Sequence, residues 1–579
     1  MSQRLILAAG VLLAACGGGH HGPPDAMPDA QLEGFTTPDI VCPGGPGCAS
    51  SGDGVLKVGA GKRTYTPQNF ETYCDENMDR QWQSDEPFGT CTGSGASCSC
   101  VPPPNNTFDG VWLFGGSRAA EGVTSDVEAR AMAFVEGDMT FVIVYIDCIG
   151  LLAGDMDNIR NDPRLAGLNI DHVIIGATHA HDAPDTVGLW GPSVAVSGRE
   201  PFVIQAMYDA AVGAITDAVT TAQPANMIIA KTQLVDTSTT APEWNRDIRD
   251  PNIYDPTLTI ARFVPVGDAA TTIGTLVNWG DHPEVAHFDD SVPASITAHY
   301  PHWLRDHIEQ GVLTTDSVYA KTNLAGLGGV TVFVQGALGG QIGSLGDHGV
   351  APPGPDGTPI QNDSSAKDQA IGTNVAAQAL NVLASEGETV TDLPLSMVSA
   401  TFAAEMDNTL FHVAFLVNIL GPHKLVGYDP SQPIDVGNEP WIPLRSTYLQ
   451  IGPLGIVTVP GELHPELWVG GYDGSWSFGF NLIDNPTQPN QPDFSMAPQP
   501  PYMRDLVLAK PGVKYPVVAG LAEDYIGYIV PAYNYVLDPD NPYINEAAGQ
   551  HYEETYSLGP KVEEHAIHPI LQLLQYQPN

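Results

Sequence analysis

Positive charge is what this 579-residue chain has least of. Only 23 Lys and Arg stand against 67 Asp and Glu, a formal net charge of −44. That excess argues against a nucleic-acid partner, whose phosphates need cations, and against electrostatic attraction to anionic membranes. It suits a soluble extracytoplasmic protein and says nothing of catalysis. Long hydrophobic runs are lacking too: the apolar stretch Leu5 to Leu13 is far too short to span a bilayer. There is no Gly-x-Ser-x-Gly elbow, which excludes the common serine-hydrolase design. A phosphate-binding Gly-x-x-x-x-Gly-Lys-Ser/Thr loop and Cys-x-x-Cys zinc pairs are likewise missing.

What is present begins with an address. Arg4, the Leu5–Leu13 core and the ending Leu13-Ala14-Ala15-Cys16 resemble a bacterial lipoprotein signal, in which Cys16 takes the lipid and becomes the mature N-terminus. An ordinary secretory signal cleaved nearby is the alternative. Residues 17–54 are rich in Gly, Pro, Ala and Asp, a composition that reads as a flexible tether. The expected layout is a signal over 1–16, a tether over 17–54 and a body over 55–579, held in the cell envelope through its anchor. Export permits disulfides. Cys42 and Cys48 suggest a small disulfide loop, and Cys74, Cys91, Cys98, Cys100 and Cys148 remain. With Cys16 lipidated one thiol is left over, and Cys148, at the end of the apolar run 141–146, is expected to be buried and free. A zinc knuckle from Cys91, Cys98 and Cys100 has the wrong spacing.

β-type apolar runs occur at 141–146, 173–177, 258–263, 272–278, 330–335, 455–459 and 516–520. Helical periodicity is clearest in Phe202 to Thr221 and Ala366 to Ser385. Strands apolar on both faces, mixed with helices, predict sheets layered with helices, an α/β or mixed α+β fold. Metal-competent side chains recur just past these runs. Thr178-His179-Ala180-His181-Asp182 follows 173–177, and an extended chain would turn His179 and His181 the same way. His282 follows 272–278, Glu462 follows 455–459, and Tyr525 and Tyr528 follow 516–520. Strand ends at one rim of a sheet are where sites in α/β folds assemble.

These segments resemble the catalytic domain of the neutral/alkaline, non-lysosomal ceramidase family. Val58-Gly59-Ala60-Gly61 with Thr66-Pro67 resembles its opening stretch, and Glu128-Ala129-Arg130-Ala131 with Val144-Tyr145-Ile146-Asp147 its Ala-Arg-Ala block and following strand. Thr178-His179-Ala180-His181, Asn245-Arg246, His282-Pro283, Pro460-Gly461-Glu462, Tyr525-x-x-Tyr528 with Tyr535, and His551-Tyr552-Glu553 with Leu558-Gly559-Pro560 follow in the family's order, from about 57 to 572. The resemblance implies Zn2+ held by His179, His282, Glu462 and Tyr528. It implies His181, Arg246 and Tyr528 as catalytic groups, and a substrate surface drawn from His181, Asp182, Arg246, Tyr535 and Tyr552. Departures concentrate around the substrate: Asp182 replaces a Ser, Asp185-Thr186 a Gly-Gly pair and Glu284-Val285 a Thr-Ser pair. Loop 337–343 is altered, insertions occur near 483–502 and 538–548, and no counterpart of the family's C-terminal immunoglobulin-like domain follows.

The implied activity is zinc-dependent cleavage of an N-acyl amide, of ceramide or a related lipid, by a metal-activated water. Each residue has a plainer reading: hydrogen-bonded histidines in a polar loop, a turn acid at Glu462, a core tyrosine at Tyr528, and an Arg246 paired with Asp247 or Asp250. Asp182 is either a loop-turn aspartate or the partner that orients a ligand histidine, and His287, His348 and His464 read as ordinary. Two alternatives remain for the whole chain. One is an amidohydrolase-superfamily barrel carrying the same His-x-His. The other is a catalytically inactive surface lipoprotein that binds a lipid or glycan.

Overall fold

The computed structural model describes residues 37–93, 97–235, 243–289, 291–346, 350–429, 431–432 and 437–577. Cys16, the signal, the first part of the tether and His348 lie outside them. Each apolar run read from the sequence forms a strand, and both periodic stretches form helices.

In chain order the main strands are β1 (Ile40–Cys42), β2 (Leu56–Thr64), β3 (Glu128–Glu136), β4 (Met139–Ile146), β5 (His172–Ala177), β6 (Gln223–Gln233) and β7 (Thr257–Pro265). They continue with β8 (Gly274–Trp279), β9 (Val330–Gln335), β10 (Leu395–Glu405), β11 (Trp441–Ile451), β12 (Leu454–Thr458) and β13 (Tyr515–Ala519). One sheet runs β5-β4-β3-β2-β6-β7-β8-β9, with Glu388–Val390 added beside β6; the other runs β1-β10-β11-β12-β13. Pairing is parallel for β4 with β5, β8 with β9, and β12 with β13, and antiparallel elsewhere along these paths.

The period-two alternation of β4 shows why its sequence is apolar throughout. Val142, Val144 and Ile146 face helix α1 (Pro201–Thr220), through Met207, Ala211 and Ile215. Phe141, Ile143 and Tyr145 face a second core shared with Met397, Leu449, Ile456 and Val517 of the other sheet. A strand buried on both faces has no use for polar alternation. Helices α2 (Tyr300–Gln310) and α3 (Ser365–Glu386) cover the β7–β9 end through Leu304, Ile308, Ile371 and Val375. Short C-terminal helices at Met503–Leu508 and His568–Gln575 cover the second sheet. Helix α1 is long and apolar enough to cross a membrane by composition, but Val203, Met207, Ala214 and Ile215 are buried against the sheet.

Two expectations are corrected. The tether does not extend to residue 54, because β1 joins the second sheet with Ile40 opposite Ser399, and Val41, Cys42 and Cys48 are buried. Composition misled here. Two β-branched residues and a Cys42–Cys48 disulfide are enough when a sheet edge supplies the hydrogen bonds. The barrel alternative also falls, since the strands form two layered sheets. Cys74–Cys98 and Cys91–Cys100 are disulfides and Cys148 is buried and free, so the zinc-knuckle cysteines are consumed.

At one rim the two ends of the larger sheet are bridged. Gln335, at the end of β9, donates to Thr178 O (3.0 Å) just past β5 and to Asp281 O (2.9 Å) just past β8. The second sheet joins the same rim, with Gly520 N on Gln335 O and Ala177 N on Leu521 O. Beneath the rim, Arg305 of α2 grips Asp147 through two 2.7 Å bonds, and Asp147 also accepts from Thr178 Oγ1. Both charges are almost fully buried. Removing one partner strands the other charge in the interior, so Asp147→Ala is expected to cost about 3–5 kcal/mol, whereas the paired apolar replacement Asp147→Leu with Arg305→Met restores much of it. Chemical denaturation of the three proteins checks this; a single variant as stable as the native chain would contradict it.

Candidate metal centre

The strand following Tyr145 ends at Ala177, and His179 then takes φ +69°, a left-handed conformation uncommon for a residue with a side chain. The extended alternation expected for residues 178–181 is therefore broken. Even so, the His179 and His181 rings lie 4.9 Å apart, and those of His179 and His282 lie 4.8 Å apart.

Main-chain carbonyls decide which nitrogens are free. His179 Nδ1 lies 2.6 Å from Ile149 O and His282 Nδ1 lies 2.8 Å from Gln341 O. A carbonyl only accepts, so each Nδ1 carries the proton and each Nε2 presents a lone pair. Those two Nε2 atoms stand 3.4 and 3.2 Å from Glu462 Oε2. All three side chains are buried to within 2 % of full enclosure. Tyr525 donates to Glu462 Oε1 at 2.8 Å, and the Tyr528 hydroxyl is 3.3 Å from His282 Nε2 and 3.1 Å from the Tyr552 hydroxyl.

Local sequence explains the delivery. Glu462 and Tyr528 sit opposite each other in a two-residue parallel ladder, Glu462–Leu463 with Tyr528–Ile529. Gly527 has φ +74°, and a Cβ there would lie 1.8 Å from Tyr556 O; only glycine makes the turn that presents both Tyr525 and Tyr528.

The residues fit a divalent cation. Two imidazole lone pairs and a carboxylate oxygen converge in a dry site, an arrangement that leaves acceptors facing acceptors unless a positive ion lies between them. Burial, then Glu462, pushes the Tyr528 phenol well up. Nitrogen atoms of His179, His181 and His282 all lie within 4.8 Å of one another. The other metal-competent clusters among the described residues contain cysteines already joined in disulfides.

His181 differs from its neighbours. Neither ring nitrogen has a hydrogen-bond partner, and Nδ1 is 3.6 Å from Glu284 Oε2. Burial, reinforced by the adjacent histidines, pushes its pKa well below that of a free imidazole. Glu284 was visible in the sequence only as a departure from the family. It is buried with Oε1 unpartnered, and burial pushes its carboxyl up to about 7.

Three other expectations meet different geometry. The Arg246 guanidinium pairs with Asp484 at 2.7 Å and lies over the Phe480 ring at 4.4 Å. The insertion near 483–502 supplies that aspartate. Asp182 is paired with Arg118 and, at 3.0 Å, with His287 Nδ1; burial would raise it, but Arg118, His287 and His299 hold it well down. Tyr535 donates to Glu554 O (3.3 Å), away from the centre, while Tyr552 stands beside Tyr528 as expected. His287 is thus the partner of Asp182, and His464 is buried near Glu466 and Glu553.

Comparison with solved structures finds this fold in the neutral ceramidase from Pseudomonas aeruginosa, with TM-score 0.55 and 15 % identity over 90 % of this chain and 74 % of that one. A ceramidase complexed with C2 matches with TM-score 0.54, again at 15 % identity and with the same shares covered. The α/β architecture is that of neutral ceramidase. No protein-family profile matches the sequence, and no curated protein does.

The centre predicts tight divalent-metal binding. Elemental analysis after dialysis should find about one ion per chain and almost none in His282→Ala. Tyr525→Phe, which removes a donor to Glu462 without touching a nitrogen, should weaken affinity about 10–100-fold. Metal content unchanged in both variants would contradict this reading.

Proposed function

We propose that the protein is a zinc-dependent amidohydrolase that cleaves the N-acyl amide of ceramide or a related lipid. The observation that carries this is the convergence of His179, His282 and Glu462 at the rim of a fold shared with neutral ceramidase. Two imidazoles and a carboxylate suit Zn2+, and the Tyr528 hydroxyl stands beside them. A bound zinc ion supplies Lewis acidity, lowering the pKa of water to about 7 and polarising a carbonyl.

The chain's own groups do the rest. His181 has a ring nitrogen free to take the proton released as water adds to the carbonyl, and returns it to the departing amide nitrogen. The C–N bond breaks with both electrons going to nitrogen, giving a carboxylate and an amine. The Tyr528 hydroxyl, 3.1 Å from that of Tyr552, would donate to the oxygen that gains charge. Asp484 engages Arg246, so Tyr528 is assigned that task. Ile149, Leu152, Val187, Trp190, Ile419 and Leu420 form an apolar cluster beside the centre, and Phe114 links it to His181 at 4.5 Å between rings. Such a wall favours an acyl chain over a polar headgroup. Lipidation at Cys16 would hold the enzyme in the bacterial cell envelope, near lipid substrates.

Purified protein should release fatty acid from fluorescent N-acylsphingosine, lose that activity to a chelator, and regain it with zinc. His181→Ala should lower kcat about 10²–10⁴-fold while retaining the ion. Turnover indifferent to both the chelator and His181→Ala would defeat the proposal.

A further inference from the structure

Two neighbouring stretches carry no Asp, Glu, Lys or Arg: Thr186–Gly198 and Asn408–Pro422. The fold places the two stretches side by side. Gly421 N donates to Val187 O at 2.9 Å, and Val187 and Trp190 share an apolar cluster with Ala414, Ile419 and Leu420. The one titratable side chain within the two stretches, His412, is buried, which pushes it down to about 4 and leaves it neutral.

The outer face of this unit presents apolar side chains to solvent, with the uncharged Ser193, Thr409 and Asn418 among them. Val194, Val196 and Val417 are 45 %, 50 % and 41 % exposed, and Leu189 and Phe415 are half-buried beside them. Helix Thr409–Leu416 reads Thr-Leu-Phe-His-Val-Ala-Phe-Leu, yet only His412 and Ala414 are buried. Several solvent-facing apolar side chains on neighbouring charge-free stretches are the kind of surface that marks an interaction site. It also adjoins the metal centre, because Phe114 and Tyr525 pack on the cluster's inner side.

The chain's path suggests what the surface meets. Asp39 N bonds Ser399 O and Thr401 N bonds Asp39 Oδ2, so the N-terminal segment leaves along β10, whose far end leads into this helix. The 21 residues from Cys16 to residue 37 reach at most roughly 70 Å. An acyl group on Cys16 would therefore keep the face within range of the bilayer that holds it. We propose that the face formed by residues 189–196 and 409–417 docks on an electrically neutral lipid surface, holding the metal centre beside the membrane. Apolar insertion with no basic residues implies binding that does not depend on anionic lipid.

The test uses the unacylated chain from residue 17, which holds every described residue, and phosphatidylcholine vesicles. Sedimentation should show binding that survives 1 M NaCl and weakens at least tenfold in the double variant Val196→Asp, Val417→Asp. Both positions are solvent-facing, so metal content and thermal midpoint should stay native, which separates this result from failure of the hydrolase reading. Val196→Asp alone, at an exposed turn, should give an intermediate loss. Three results would overturn the proposal: no binding to phosphatidylcholine, binding unaffected by the substitutions, or binding abolished by salt. A fourth is self-association by light scattering, lost in the double variant without any vesicle binding; it would assign the face to a second copy of the chain.

Discussion

Two imidazole protons are given to backbone carbonyls, and the site depends on that. With Nδ1 of His179 committed to Ile149 O and Nδ1 of His282 committed to Gln341 O, both Nε2 lone pairs must face inward. Glu462 then closes the third side, held by Tyr525. A carbonyl is the best available lock for a tautomer, because it cannot return a proton and belongs to a main chain fixed by neighbouring strands. The whole rim can be read as the means of keeping those two carbonyls where they are.

The rest of the architecture serves that placement. Three parallel pairs, β4 with β5, β8 with β9, and β12 with β13, deliver loops to one rim. A single buried amide, Gln335, ties two of those loops together by donating to Thr178 O and Asp281 O. The Asp147–Arg305 pair beneath it costs desolvation but fixes helix α2 against the strand end. His179 sits in a left-handed conformation, and such backbone strain persists only where the surroundings over-determine it.

Much of this was legible in the sequence, for identifiable reasons. Strands buried on both faces wrote themselves as continuous apolar runs, so 141–146 and 173–177 could be read directly. The candidate ligand positions drew notice because each stands one short turn beyond such a run. What escaped notice depended on main chain or on distant partners. Gln341 lies in a loop whose side chains depart from the family pattern, yet its contribution is a carbonyl that any residue supplies. The fate of Arg246 was decided by Asp484, 238 positions away in an insertion. Asp182 looked like a substrate-facing group, but Arg118 and His287 claim it from segments with no sequence link to the motif. The short strand β1 was hidden in a Gly- and Pro-rich stretch because composition averages away two β-branched residues.

The central claim is that three lone-pair donors from distant parts of the chain enclose one cation. Diffraction from crystals grown with zinc, recorded on either side of the zinc absorption edge, tests it most directly. The account predicts one strong anomalous peak, about 2.0–2.2 Å from His179 Nε2, His282 Nε2 and a Glu462 oxygen. A map with no peak there, or with its only peak elsewhere on the chain, would contradict it.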